Sequence, residues 1–250
     1  MYKKYFQGKK AAFFDLDGTV ITTSKMCTDA VQKVLNDDRA SYVNAEEYRI
    51  NGYPMRTSWQ MILEVNDLGP DKKMEDYTKL TEEAYVETVK KVDLIPTEGF
   101  WPLVYELKED KGYKLALVTN TRKGVADVLI DKLGLREVFD LIICGDEVKR
   151  LKPDPEMYKK ALKQLKLKPK EVVVFEDSIV GVTAATKAKL DIIVIWDKLT
   201  PKYLFPGKIL DFMPDFSSLP GNLDETPPEF VKRITKEAEE TKKRSEKSEL

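Results

Sequence analysis

Phe13-Phe14-Asp15-Leu16-Asp17-Gly18-Thr19 closes an apolar run that begins at Ala11. Two carboxylates spaced i and i+2 end that run, and a glycine and a threonine follow at once. On an extended strand, positions i and i+2 point to the same side. The two acids are therefore expected together where a buried strand emerges. Carboxylates so close repel unless a cation lies between them or one of them holds a proton. Either outcome is chemistry: a Mg²⁺ site, or a nucleophile beside a general acid.

Working outward, four more short apolar runs of strand length follow: Lys114–Asn120, Leu141–Asp146, Val172–Asp177 and Ile192–Asp197. Their near-continuous apolar character predicts strands buried on both faces, as in a parallel sheet. Helical spacing lies between the later runs. Phe100, Leu103, Val104 and Leu107 follow i, i+3, i+4, i+7, and so do Tyr158, Ala161, Leu162 and Leu165. Asp154-Pro155 predicts a cap and first turn before the second set. Val125, Leu129 and Leu133 form a third stripe, closed by Gly134. Alternating strand and helix predicts an α/β fold, a doubly wound parallel sheet.

The rhythm breaks between the first two strands. Met55, Trp59, Ile62 and Leu63 are helically spaced, as are Tyr77, Leu80 and Ala84, then Val86 and Val89. A helical insertion of ~75 residues is no ordinary crossover, which needs only about a dozen. It predicts an all-helical cap over the carboxyl edge of a Rossmann-like core. The expected division is residues 1–22 plus 97–219 for the core and 23–96 for the cap, with hinges at Gly18–Thr23 and Pro96–Gly99. Residues 220–250 read as a charged tail, helical or disordered, with few apolar anchors.

Composition removes whole classes of function. The 250 residues include 42 Lys plus Arg and 43 Asp plus Glu, a net charge of -1. That balance does not point to nucleic acid or to a membrane surface. There is no histidine, so imidazole acid/base catalysis and Ser-His-Asp triads are excluded. The two cysteines, Cys27 and Cys144, have no metal-ligand spacing and read as thiols of a reducing, cytoplasmic compartment. Val20 and Met26 stand where a calcium loop starting at Asp15 needs Gly and Glu. Neither a Walker-type loop nor a Gly-x-Gly-x-x-Gly fingerprint is present.

Sites in open α/β sheets form at the carboxyl ends of strands. Those ends supply Asp15 and Asp17, then Thr119-Asn120, then Glu176-Asp177-Ser178, with Lys152 in the loop Leu151-Lys152-Pro153-Asp154-Pro155. Acids, a hydroxyl and a lysine suit phosphoryl transfer with Mg²⁺. One of Asp15 or Asp17 attacks phosphorus, and the other serves as acid and base. Asp177, with Glu176, completes an all-oxygen metal shell. Thr119 and Lys152 hold phosphoryl oxygens. Asp146 and Asp197 read as turn or cap residues.

This set resembles the haloacid dehalogenase superfamily, in its helical-cap phosphatase and phosphomutase branch, from about Lys10 to Leu219. The motifs are Phe14-Asp15-Leu16-Asp17-Gly18-Thr19, Val118-Thr119-Asn120, Lys152-Pro153-Asp154-Pro155 and Phe175-Glu176-Asp177-Ser178. The last runs on into a Gly/Ala-rich helix, Val180–Ala185. The resemblance implies Asp15 as nucleophile, Asp17 as acid/base, and Thr119 and Lys152 as phosphoryl ligands. It implies Mg²⁺ on Asp15, the Asp17 carbonyl and Asp177, with Glu176 close by. Asn51-Gly52-Tyr53-Pro54-Met55-Arg56 looks like the cap loop that carries a substrate-binding arginine in β-phosphoglucomutase, which makes Arg56 the specificity candidate. Thr28 stands where the mutase has a histidine, and this favours hydrolysis. The expected substrate is a small phosphorylated metabolite; a phosphosugar isomerase and a non-catalytic phosphate-binding protein are the alternatives.

Overall fold

The computed structural model describes residues 3–37, 52–65 and 73–220, together with residues 230 and 236. Its centre is a parallel sheet of six strands in the order β3-β2-β1-β4-β5-β6. The strands are β1 (Ala11–Phe14), β2 (Lys114–Val118), β3 (Leu141–Ile143), β4 (Val172–Glu176), β5 (Asp191–Ile195) and β6 (Ile209–Met213). β1 lies between β2 and β4, so the direction of winding reverses at the end of β1. That reversal opens a crevice at the carboxyl edge.

The twofold period of a strand sorts side chains between the two faces. Ala12, Phe14, Leu115, Leu117, Val173 and Phe175 enter one buried cluster. Ala11, Phe13, Ala116, Val118, Val172 and Val174 enter the other. Helices α5 (Phe100–Tyr105) and α6 (Lys123–Lys132) cover the first face, while α7 (Glu156–Leu165) and α8 (Ile179–Lys187) cover the second. Phe14 stacks on Phe175 at 4.8 Å between ring centroids and meets Phe100 edge-on at 5.9 Å. Each such ring contributes roughly 1.5–3 kcal/mol by leaving water. α6 ends in Leu133 and a left-handed Gly134, as its sequence predicts. α7 starts at Glu156, whose N–H bonds Asp154 Oδ1 at 2.9 Å.

Among the described residues the insertion holds three helices: α2 (Ser24–Asp37), α3 (Met55–Val65) and α4 (Met74–Lys91). They share their own core of Val31, Val34, Leu35, Trp59, Ile62 and Tyr77. Trp59 stacks on Tyr77 at 4.7 Å and donates its indole N–H to Thr81 Oγ1 at 2.9 Å. That bond satisfies the buried Thr81 hydroxyl, while Tyr77, Ala84 and Val89 hold the inward places expected of them and Val86 is half-buried. Tyr77, Thr81, Ala84, Tyr85 and Val89 face inward, whereas Leu80 is 39% exposed. The two linkers to the insertion run side by side: Thr97 donates N–H to Val20 O at 2.8 Å and Oγ1–H to Thr19 O at 2.7 Å.

The short helix α1 (Lys3–Phe6), β6 and α2 go beyond the five runs and the helical stripes of the sequence reading. β6 is an edge strand with Asp211 at its middle, only partly buried, so it carries no continuous apolar run. α2 spreads Ala30, Val31, Val34 and Leu35 among polar residues. Asn51 and most of the tail lie outside the described residues. Phe230 does not: it is buried, and its ring meets Tyr105 edge-on at 5.1 Å, which supplies the tail with an apolar anchor.

Candidate active site

β1 stops at Phe14, and Asp15 leaves it with its N–H still bonded to Phe175 O of β4 at 3.0 Å. The chain then turns, because the N–H groups of Val20 and Ile21 both bond Leu16 O. Asp15 and Asp17 are therefore not on one extended strand, as the i, i+2 reading supposed, and their side chains have separate partners. Gly18 makes the turn possible. Its φ is 88°, and a Cβ there would lie 2.1 Å from Asp177 Oδ2.

Lys152 is the hub. It is 3% exposed, and its ammonium donates to Asp15 Oδ1 at 2.6 Å, Glu176 Oε1 at 2.6 Å and Val118 O at 2.7 Å. Glu176 ends β4 with no exposed surface, and Tyr158 of α7 adds its hydroxyl to the same Oε1 at 2.5 Å. Gly181 of α8 lets that carboxylate fit, since a Cβ there would lie 1.9 Å from Oε2. Asp177 follows, 8% exposed. Ligand oxygens of Asp15, Glu176 and Asp177 all lie within 4.8 Å of one another.

Charge balance in this pocket is unequal: three carboxylates face one ammonium. Burial pushes the Asp15 carboxyl up to about 7, against the pull of Lys152 and with a further push from Glu176. Burial also pushes Asp177 well above the ordinary carboxylate range, and Asp15 and Glu176 add to that. Burial pulls on the Lys152 ammonium, yet Asp15 and Glu176 overcome it and hold the group at about 12. The pocket thus carries excess negative potential that a divalent cation satisfies. An all-oxygen donor set of hard carboxylates matches Mg²⁺, so the residues present fit that ion.

Asp17 occupies a different environment. Thr23 donates to its Oδ1 at 2.7 Å and Tyr85 of α4 donates to the same atom at 3.0 Å. Thr121 donates to Oδ2 at 2.7 Å. Three hydroxyl donors, from Thr23, Tyr85 and Thr121, thus converge on its two oxygens. Thr119 is 2% exposed and continues β2, its N–H bonded to Ile143 O of β3 at 3.0 Å. Asn120 uses both ends of its amide. Oδ1 accepts Lys152 N–H at 2.9 Å, and Nδ2 donates to Gly52 O at 2.9 Å and to Lys152 O at 3.3 Å.

Asp15, Thr119, Asn120, Lys152, Glu176 and Asp177 thus meet at the sheet's reversal, with Asp17 beside them. Arg56 stands apart: its side chain is 66% exposed and pairs with Glu75 at 2.9 Å. Asp146 and Asp197 behave as structural residues. Asp146 caps the start of α6 through Lys123 N–H, and Asp197 closes a turn on Leu199 and Thr200. The sequence reading did not select Tyr158, Thr121 or Tyr85. Tyr158 counted as core, and Tyr85 lies 68 positions from Asp17 with no local signal. Thr121 had one, its i+2 spacing from Thr119.

A parallel α/β sheet with a buried acidic cluster and a lysine at its carboxyl edge is the setting of a hydrolase. The chain belongs to the haloacid dehalogenase-like hydrolase family, whose model matches residues 12–195. Among curated relatives, a phosphorylated carbohydrates phosphatase of Thermotoga maritima is 32% identical over 182 residues, covering 73% of this chain and 82% of the relative. The fructose-1-phosphate phosphatase YqaB of Escherichia coli is 29% identical, covering 76% and 96%. The crystal structure of CbbY from Rhodobacter sphaeroides in complex with phosphate superposes with a TM-score of 0.72 at 26% identity, covering 84% of this chain and 96% of that one. Among the described residues no helix is long and apolar enough to cross a membrane.

Proposed function

We propose that this protein is a Mg²⁺-dependent phosphatase that hydrolyses a small phosphomonoester, of sugar phosphate, phosphoglycolate or nucleotide type, through an aspartyl phosphate on Asp15. One observation carries the reading: the buried Asp15, Glu176 and Asp177 cluster beside a single lysine that is 2.6 Å from Asp15. We place the core in residues 1–22 and 97–219 and the cap in 23–96. Asp15, the Asp17 carbonyl and Asp177, with Glu176 close by, would hold Mg²⁺, and its positive charge would offset the charge on the phosphoryl oxygens.

The residues divide the remaining work. Asp15, held by Lys152, attacks phosphorus and expels the alkoxide. Asp17 gives that alkoxide a proton. Water then loses a proton to Asp17 and attacks the aspartyl phosphate, which releases inorganic phosphate and restores Asp15. Thr119 offers its hydroxyl to a phosphoryl oxygen. Lys152 adds a fixed positive charge, its donors being committed to Asp15, Glu176 and Val118. Glu176, tied to Lys152 and Tyr158, keeps that lysine in place.

Hydrolysis is preferred to phosphosugar isomerisation because Arg56, the residue that favoured a mutase, is engaged by Glu75 on the cap surface. A non-catalytic role is disfavoured because every position of the phosphatase set is filled. The test is phosphate release from a panel of sugar phosphates, phosphoglycolate and nucleotide monophosphates, with Mg²⁺, by the wild type and by Asp15→Asn. Turnover by the wild type alone supports the reading. No release from any of them, or equal release by both proteins, overturns it.

A further inference from the structure

Asn120 does something that its position beside Thr119 does not require. Its side chain joins two segments far apart in sequence: Nδ2 reaches Gly52 O, ahead of α3 in the insertion, while Oδ1 takes the Lys152 N–H. Gly52 is pressed against the core on its other side. Its φ is 77°, and a Cβ there would lie 2.3 Å from Ser178 Oγ and 2.4 Å from Ser178 Cβ. Ser178 follows Asp177 directly and caps α8 by accepting Gly181 N–H at 3.0 Å. A residue without a side chain thus sits in a seat made by Asn120 and Ser178, the two residues next to Thr119 and Asp177.

We propose that Asn120 is a positioning residue: its amide clamps the Gly52 segment of the cap onto the core and passes that seating to Lys152. The chemistry suits the task. An amide presents a donor and an acceptor at fixed separation. Here the donor holds the cap carbonyl, and the acceptor holds the backbone of the residue whose ammonium fixes Asp15 and Glu176. Cap seating and lysine placement thus share one rigid group, and a site with its cap unseated also has a loosened lysine. This assignment rests on the phosphatase reading and deepens it.

The test compares the wild type with Asn120→Asp, Asn120→Ala and Gly52→Ala. Asn120→Asp keeps an acceptor for the Lys152 N–H and replaces the donor to Gly52 O with a second acceptor, so it breaks the cap bond and the longer 3.3 Å contact to Lys152 O while leaving the Lys152 N–H paired. Gly52→Ala attacks the same seat from the other side and stands in if an Asn120 variant fails to fold. Two quantities are read: kcat/KM for p-nitrophenyl phosphate and for the best sugar phosphate of the wild-type panel, and the rate at which Ellman's reagent labels Cys27. Cys27 lies on α2 and is half-buried, whereas Cys144 is buried with its thiol pushed up to about 12 by burial. Labelling therefore reports the seating of the insertion.

Asn120→Asp and Gly52→Ala are expected to lower kcat/KM about tenfold, the size set by loss of the part-buried bond between Asn120 and Gly52, and to speed Cys27 labelling severalfold. Asn120→Ala, which also frees the lysine loop, is expected to lose more activity with a similar gain in labelling. Unchanged labelling with lost activity overturns the proposal, because Asn120 then acts at the phosphoryl site alone. Faster labelling with unchanged activity overturns it too, because seating is then uncoupled from Lys152. Wild-type turnover is the control that keeps the phosphatase reading separate from either result.

Discussion

Asp15 and Lys152 form a buried ion pair at 2.6 Å. Breaking a buried ion pair by removing one member leaves an uncompensated charge and costs about 3–5 kcal/mol. Lys152→Met leaves Asp15 and Glu176 facing each other with no counter-charge, so urea denaturation of the Mg²⁺-free protein is expected to show a loss of that order. Its phosphate release is expected to vanish. Asp15→Asn removes the proposed nucleophile while leaving an acceptor for Lys152. It should fold with little loss while turnover falls by about four orders of magnitude or more in a phosphate-release assay. These residues could be read from the sequence because each ends a strand or opens a helix beside an apolar run. Their partners could not. Tyr85, Thr23 and Thr121 converge on Asp17 from a cap helix, a linker and a core loop, and no spacing rule ties such segments together.

At the scale of elements, α4 is held to the core at three points along its length. Tyr85 bonds Asp17, Glu82 meets Arg122 at 3.4 Å, and Lys132 at the end of α6 donates to Val89 O at 2.8 Å and Lys90 O at 3.1 Å. The last contact satisfies carbonyls that a helix end leaves unpaired, with a cation at the negative pole of the helix dipole. Lys132→Ala is expected to cost about 1 kcal/mol by chemical denaturation. The exposed Arg122–Glu82 pair should contribute much less. β1 to β5 were legible because each carries an unbroken apolar run, and β6 was not because Asp211 interrupts its run. On α4, Tyr77, Ala84 and Val89 were legible and Leu80 was not, because Thr81, a polar residue, takes a core place as the acceptor of the Trp59 indole N–H and Leu80 is left exposed.

For the molecule as a whole, pH and metal act on the same groups. The Asp15 carboxyl stands at about 7 in the folded protein, against an ordinary value of 3.8, and Asp177 is raised as well. A group raised on folding binds its proton more tightly in the native state. Its contribution to stability is full below the unfolded value and is lost as pH rises through the folded one. Protein stripped of metal by EDTA is therefore expected to lose melting temperature from about pH 4 to beyond pH 7, the Asp15 share amounting to a few kcal/mol and Asp177 acting in the same direction. Saturating Mg²⁺ takes the place of the protons and should flatten that decline in scanning calorimetry. The position of β1 has a further consequence, for how the chain acquires its shape. Ala11 is flanked by Lys114 on one side and Val172 on the other. The middle of the sheet cannot zip locally and has to wait for partners synthesised much later. Such high contact order predicts slow folding, whereas the intervening helical segment adds only about 0.6 kcal/mol of closure entropy for each doubling of its length. Evolution can therefore lengthen or exchange that segment at small cost, provided both its ends still return to the place where β1 stops.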